Sequence, residues 1–103
     1  MRLPRKVKVG ANTVSVKMVK NDILKGNCGE FDPANMLIRI NTKLGPHQVA
    51  LTLIHECIHA MWWDAGLPKK EEEERIVSAL EGRLGALIRD NPRLVAYLQE
   101  KLK

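Results

Sequence analysis

The sequence is poor in cysteine and aromatic residues and contains no long apolar run. Its two cysteines, Cys28 and Cys57, form no recognisable disulfide framework in a chain of 103 residues. No apolar stretch approaches the roughly 18 residues that a membrane helix needs, and no apolar segment of a signal peptide follows the basic start at positions 1–6. We therefore expect two reduced thiols in a cytoplasmic protein that does not enter a membrane.

Positive charge exceeds negative charge, with a formal net charge of +5 at pH 7. Much of the excess lies in the first 25 residues, where Asp22 is the only acid. Such a basic half could contact nucleic acid or an acidic partner. No aromatic residue lies among these charges to stack on bases, so the composition favours a solvated sheet face whose lysines protect strand edges. Nucleic-acid binding is the less favoured alternative.

The hydrophobic pattern changes once along the chain, from a period of two to a period of 3.6 residues. Residues 5–19 alternate apolar and polar side chains around a turn at 10–12, and a second pair of extended segments, 28–31 and 36–40, flanks a turn at 32–35. Strands followed by helices are typical of an α+β domain. We predict a single domain over residues 1–103, in which a small antiparallel sheet of two hairpins packs on helices.

Three helices are predicted after Asn41. Gly45 and Pro46 begin the first helix and Gly66 ends it. Its expected buried face consists of Val49, Leu53, Cys57, Ala60 and Met61. The second helix follows the acidic run at 71–74, and its apolar stripe consists of Ile76, Val77, Leu80, Leu84, Leu87 and Ile88. A short C-terminal helix begins at Asn91-Pro92.

The first helix carries the motif His55-Glu56-Cys57-Ile58-His59, which has the form HExxH. Histidines four residues apart stand about one turn from each other on the same helix face, so both imidazoles can reach one metal ion. Zinc in a catalytic site typically takes three protein ligands and a water. Glu56 lies where it can accept a proton from that water, as the general base of a hydrolytic reaction.

The third protein ligand must come from another element. His47 lies two turns upstream of His55, too far along the axis, and Asp64 points to nearly the opposite side of the helix. A turn at 66–68 brings the acidic start of the second helix back toward the motif. Among its four glutamates, helix phase favours Glu73, which shares the stripe of Val77, with Glu74 somewhat off its centre.

Several segments, which together span about two thirds of the chain, resemble the small phage- and prophage-encoded zincin-like metallopeptidases. They are Cys28–Asp32, Leu37–Asn41, Leu53–Ala60, Ala65–Leu67, Glu74–Val77 and Ile88–Pro92. In such proteins a hairpin precedes the HExxH helix and a Glu-x-x-apolar pattern follows on the next helix. The resemblance therefore implies a minimal zincin-like fold with one zinc ion per chain, held by a gluzincin-type set of His55, His59 and Glu74. Glu73 is kept as the alternative third ligand.

The resemblance implies a zinc-dependent peptidase that hydrolyses polypeptides with Glu56 as general base. The alternative is a metal-binding module of the same fold that works by interaction, as a phage regulatory or anti-host protein. Glu56 favours the peptidase, because a purely structural site has no use for a base. A DNA-associated protease of the SprT-like kind is less favoured, since those typically take a histidine as third ligand and none follows His59. We expect a monomer in the cytoplasm of a bacterial or phage-infected host cell.

Further expectations concern the surroundings of the motif. The strand Met36–Ile40 could be the edge on which an extended peptide lies. Trp62, one turn beyond His59, is expected to wall the metal site. Candidate oxyanion donors are Tyr97, Arg39 and His47.

Overall fold

The computed structural model describes residues 1–68 and 71–102, which fold into four strands followed by three helices. The strands and helices are β1 (Lys6–Val9), β2 (Asn12–Val19), β3 (Gly29–Asp32), β4 (Leu37–Asn41), α1 (Pro46–Asp64), α2 (Glu73–Asp90) and α3 (Pro92–Lys101). The predicted α+β class and the order of its elements are confirmed. No helix in the described part of the chain combines the length and apolarity needed to cross a membrane.

The four strands form one mixed sheet in the order β1-β2-β4-β3. Both predicted hairpins are present, since β1 pairs with β2 and β3 with β4 in antiparallel fashion. The prediction of an antiparallel sheet is wrong where the hairpins meet, because β2 and β4 are parallel, with Val16 opposite Ile38 and Met18 opposite Ile40. The expected edge strand is also wrong. β4 lies between β2 and β3, and the edge strands are β1 and β3.

The connection between β2 and β3 explains the parallel pairing. This connection crosses the position of β4 and places β3 at the edge of the sheet. The next strand, β4, then lies between β2 and β3. The buried Asn41 holds this connection, because its Nδ2 donates to Asn21 Oδ1 at 2.7 Å and to the Asn27 carbonyl at 3.0 Å. Its Oδ1 accepts from the Lys43 backbone N–H at 3.0 Å. A buried amide with several partners is well satisfied.

The core lies between one face of the sheet and α1. Its buried members are Val9, Val14, Val16, Ile38, Ile40 and Ala60. Val49, Leu53 and Cys57 pack against them from α1 as predicted, whereas Met61 is half exposed.

The end of α1 is fixed at both the backbone and the side-chain level. Gly66 adopts a φ of +69°, and the backbone N–H groups of Gly66 and Leu67 donate to the carbonyls of Trp63 and Trp62 at 3.0 and 3.2 Å. This is the Schellman pattern of a glycine-ended helix, and it confirms the predicted end at Gly66. Asn12 in the first hairpin donates to the Asp64 carboxylate at 2.7 Å. The first hairpin therefore contacts the C-terminal end of α1.

The face of α2 that meets α1 differs from the predicted apolar stripe. Of that stripe, Val77 is buried and Leu84 is partly buried, whereas Ile76, Leu80, Leu87 and Ile88 are exposed. The contact face instead follows Glu73, Val77, Glu81 and Gly85, at intervals of four residues, all of them partly or fully buried. At Gly85 an added Cβ would lie 3.3 Å from Leu51 Cδ2, which shows how closely the helices approach. Two carboxylates thus occupy the helix–helix contact.

Candidate metal centre

His55 and His59 project from the same side of α1 toward one point. Their Nε2 atoms lie 3.2 Å apart, and their ring centroids are separated by 4.9 Å. The side chains of His55 and His59 are 14% and 16% exposed. The four-residue spacing in the sequence therefore produces the predicted pair of converging imidazoles.

Glu74 supplies a third donor group at this point. Its Oε1 lies 2.7 Å from His55 Nε2, and its Oε2 lies 2.7 Å from His59 Nε2. One donor atom from each of the three residues lies within 4.8 Å of the others, so His55, His59 and Glu74 could hold a metal ion. The Glu74 carboxylate faces both Nε2 atoms although its side chain is 64% exposed.

The donor set is compatible in both chemistry and dimensions with a divalent metal ion such as zinc. Two imidazole nitrogens and a carboxylate oxygen are common ligands of a catalytic zinc, at about 2.0–2.2 Å from the ion. Tetrahedral geometry at that distance separates neighbouring donor atoms by roughly 3.3 Å, which matches the 3.2 Å between the two Nε2 atoms. The exposed Glu74 carboxylate needs to retreat by only about half an ångström to reach the same spacing.

Glu73 contacts the other ring nitrogen of His59. Its Oε2 lies 2.6 Å from His59 Nδ1, and its side chain is only 13% exposed. The Nδ1 atom is directed away from the point that Glu74 faces, so Glu73 lies behind the histidine. A carboxylate in this position fixes the ring orientation and the tautomer that leaves Nε2 free to bind a metal. Glu73 faces α1, as the helix phase predicts. It contacts His59 Nδ1, however, whereas Glu74 contacts His59 Nε2.

Glu81 occupies the corresponding position behind His55, with its Oε2 3.5 Å from His55 Nδ1. Sequence reasoning did not select this residue. The helical spacing could have indicated it. Glu81 lies seven residues after Glu74 and eight after Glu73, close to two helical turns, and so shares their side of α2. Each histidine therefore has a carboxylate of α2 near its second ring nitrogen.

Glu56, the predicted general base, is 5% exposed and lies on α1 beneath β3. Burial raises the pKa of its carboxyl group from 4.5 to about 7, an effect that nearby His59 partly offsets and the carboxylates of Glu74, Glu30 and Glu81 reinforce. Gly29 permits the close approach of β3. A Cβ there would lie 2.7 Å from Thr52 Cγ2 and 3.4 Å from Glu56 Oε2.

A cleft of about 640 Å³ opens over this centre, between β3, α1 and the start of α2. Trp62 lines it, as predicted, and donates from Nε1 to the Pro68 carbonyl at 3.0 Å. Phe31 and Trp63 also line it and contact each other edge to face, with ring centroids 6.0 Å apart. The cleft is therefore lined by aromatic side chains on one part and by the polar side chains of the candidate metal centre on another.

The other sequence candidates lie in different surroundings. Cys28 is exposed and lines the cleft, whereas Cys57 packs against the core, where burial raises the pKa of its thiol. Arg39 is paired with Glu30 and Asp32 at 3.3 and 3.1 Å. Tyr97 is exposed on α3, and His47 lines a separate groove between α1 and α2. None of the three suggested oxyanion donors lines the cleft.

Comparison of the chain with protein-family models, curated proteins and solved structures gave no match. The relation to zincin-like metallopeptidases is therefore a prediction from the sequence.

Proposed function

We propose that the protein is a zinc-dependent peptidase in which His55, His59 and Glu74 hold the metal and Glu56 is the general base. The observation that carries this proposal is the convergence of the two Nε2 atoms and the Glu74 carboxylate on one point. Glu56, next to His55 in the sequence, opens onto the same cleft. The resemblance of the sequence to phage and prophage metallopeptidases supports the assignment, and the cytoplasmic location remains a prediction.

Zinc, when bound, lowers the pKa of a coordinated water and polarises the carbonyl of the scissile bond. Glu56 takes a proton from the attacking water and later gives it to the leaving amine. Burial beneath β3 keeps this carboxylate in place and limits its hydration.

The sheet edge offers a place for an extended substrate. β3 is an edge strand, and Gly29, Glu30 and Phe31 on it line the cleft. The free edge of such a strand can form main-chain hydrogen bonds with an added peptide. We assign this role to β3, in place of the central strand β4.

The interaction-module alternative also has support from one observation. Several leucine and isoleucine side chains on α2 and α3 are exposed, namely Ile76, Leu80, Leu87, Leu94 and Leu98. Exposed apolar surface of this kind is typical of protein-binding sites. The buried Glu56 carboxylate, which lines the same cleft as His55, His59 and Glu74, has no function in such a module, so the peptidase is preferred.

Replacement of the general base tests the proposal. Zinc-loaded wild-type protein should cleave an unfolded substrate such as casein, while Glu56→Gln should retain zinc and lose at least about 100-fold in rate. Glu100→Gln, the same substitution on the exposed α3, is the matched control and should cleave normally. A wild-type protein that holds zinc but cleaves no unfolded substrate would favour the interaction module.

A further inference from the structure

The aromatic residues are concentrated at the candidate centre. The chain contains four of them, two tryptophans, one tyrosine and one phenylalanine. Phe31, Trp62 and Trp63 line the cleft, and only Tyr97 does not. In a sequence with so few aromatic side chains, this clustering points to a use beyond the filling of the core.

The three cleft aromatics differ in what they contact. Trp62 donates its N–H to the Pro68 carbonyl and so holds the segment that follows α1. Phe31 packs partly against the core and presents an edge contact to Trp63. Trp63 remains 45% exposed, and the neighbouring Leu67, which also lines the cleft, is similarly exposed. Two large apolar side chains are thus left facing an open cavity.

The position of Phe31 connects this apolar surface to the sheet edge. In an added strand, the residue opposite Phe31 places its side chain on the same face of the sheet as Phe31. On that face it meets Trp63. Ligand pockets are commonly lined by aromatic and aliphatic side chains in this way, and buried aromatic pairs gain from edge-to-face contact.

We propose that Phe31, Trp63 and Leu67 form a specificity subsite for a large apolar side chain, aromatic above all, of an extended polypeptide substrate. The proposal rests on the proposed function, because it concerns the same cleft. The subsite discriminates by apolar contact. Filling it with phenylalanine rather than alanine should improve binding by about 10- to 100-fold.

Binding and cleavage are measured separately. Zinc-loaded Glu56→Gln is titrated by calorimetry with glycine- and serine-based decapeptides that carry one phenylalanine, one leucine or one alanine at each position in turn. The best phenylalanine peptide should bind about 10-fold or more tightly than its alanine counterpart. Adding Trp63→Ala should reduce this ratio to about threefold or less, and Tyr97→Ala, the aromatic control outside the cleft, should leave it unchanged.

A second variant guards against a folding defect in Trp63→Ala. Leu67→Ser changes an exposed residue and should also lower the ratio. The subsite would be refuted if the phenylalanine and alanine peptides bound equally or if neither bound. It would also be refuted if the ratio of their affinities were unchanged in both variants. If selective binding occurs but wild-type protein cleaves nothing, the subsite stands and the hydrolytic function fails. If wild type cleaves both peptides at equal rates, hydrolysis stands and the subsite fails.

Discussion

Glu73 Oε2 lies 2.6 Å from His59 Nδ1, on the opposite edge of the ring from the nitrogen that faces Glu74. Two adjacent glutamates on α2 thus contact the same imidazole through different nitrogens. Glu74 lies where a metal ligand belongs, and Glu73 lies where it can orient the histidine. The distinction between the two glutamates is open to direct measurement.

Replacing each glutamate by glutamine should weaken zinc binding to different extents. Glu74→Gln removes a charged ligand and should abolish tight binding, whereas Glu73→Gln should cost about 10- to 100-fold in affinity, as expected for a supporting residue. Competition with a chromogenic chelator measures both. The visible spectrum of the cobalt-substituted protein should change in Glu74→Gln and keep its shape in Glu73→Gln. Equal affinities in the two variants would refute the assigned roles.

Glu81→Gln should have a smaller effect than Glu73→Gln. Its oxygen is 3.5 Å from His55 Nδ1 and its side chain is 26% exposed, so water can replace much of the contact. We expect a loss of several-fold in zinc affinity in the same chelator assay. Glu72→Gln, at an exposed position just before α2, should bind zinc like the wild type. A loss in Glu81→Gln as large as that in Glu74→Gln would make Glu81 a ligand.

The stability of the metal-free protein should depend on pH through Glu56. Its pKa is raised from 4.5 to about 7 in the folded state, so the folded chain binds more protons than the unfolded chain between these values. The free energy of unfolding should therefore fall as pH rises through this window, by up to about 3 kcal/mol, and then level off.

Urea unfolding with a chelator present, at pH 4.5 to 8, compares wild type with Glu56→Gln. The stability of the variant relative to wild type should increase with pH until about pH 8, one unit above the raised pKa. Glu100→Gln should follow the wild type throughout. A constant difference between wild type and Glu56→Gln would show that burial does not perturb this carboxyl group.

Gly29→Ala should separate β3 from α1. The new Cβ would meet Thr52 Cγ2 at 2.7 Å and the Arg39 carbonyl oxygen at 2.8 Å, so the strand must shift, at a cost of about 1–3 kcal/mol. Gly82→Ala on α2 is the control, because a Cβ at this position would meet nothing within 4 Å. This substitution should stabilise the helix by about 0.5–1 kcal/mol. Thermal unfolding compares the two. A neutral Gly29→Ala would mean that β3 is not closely packed on α1.

The sequence predicted those features that depend on local periodicity. Alternation gave the two hairpins, and the four-residue spacing of His55 and His59 gave the converging imidazoles. Gly66 marked the end of α1 because few other residues adopt a positive φ at low cost. The hairpins, the histidine pair and the helix end are each determined by residues close together in the sequence.

Features that depend on how elements meet were predicted less well. The parallel pairing of β2 with β4 depends on where the connection lies and on the buried Asn41, and strand periodicity carries no information about strand order. The apolar pattern of α2 suggested a contact face through Ile76 and Leu80, yet the face follows Glu73, Val77 and Glu81. Carboxylates can occupy it because histidines of α1 lie opposite, a pairing that only the packed helices show.

Titration of zinc into the metal-free wild-type protein, followed by calorimetry at pH 7.5, tests the central claim most directly. The site predicts one tight zinc ion per chain, with binding lost in His55→Ala, His59→Ala and Glu74→Gln and retained in Glu100→Gln. A folded wild-type protein that binds no zinc, or that binds it equally well after these three substitutions, would contradict the account.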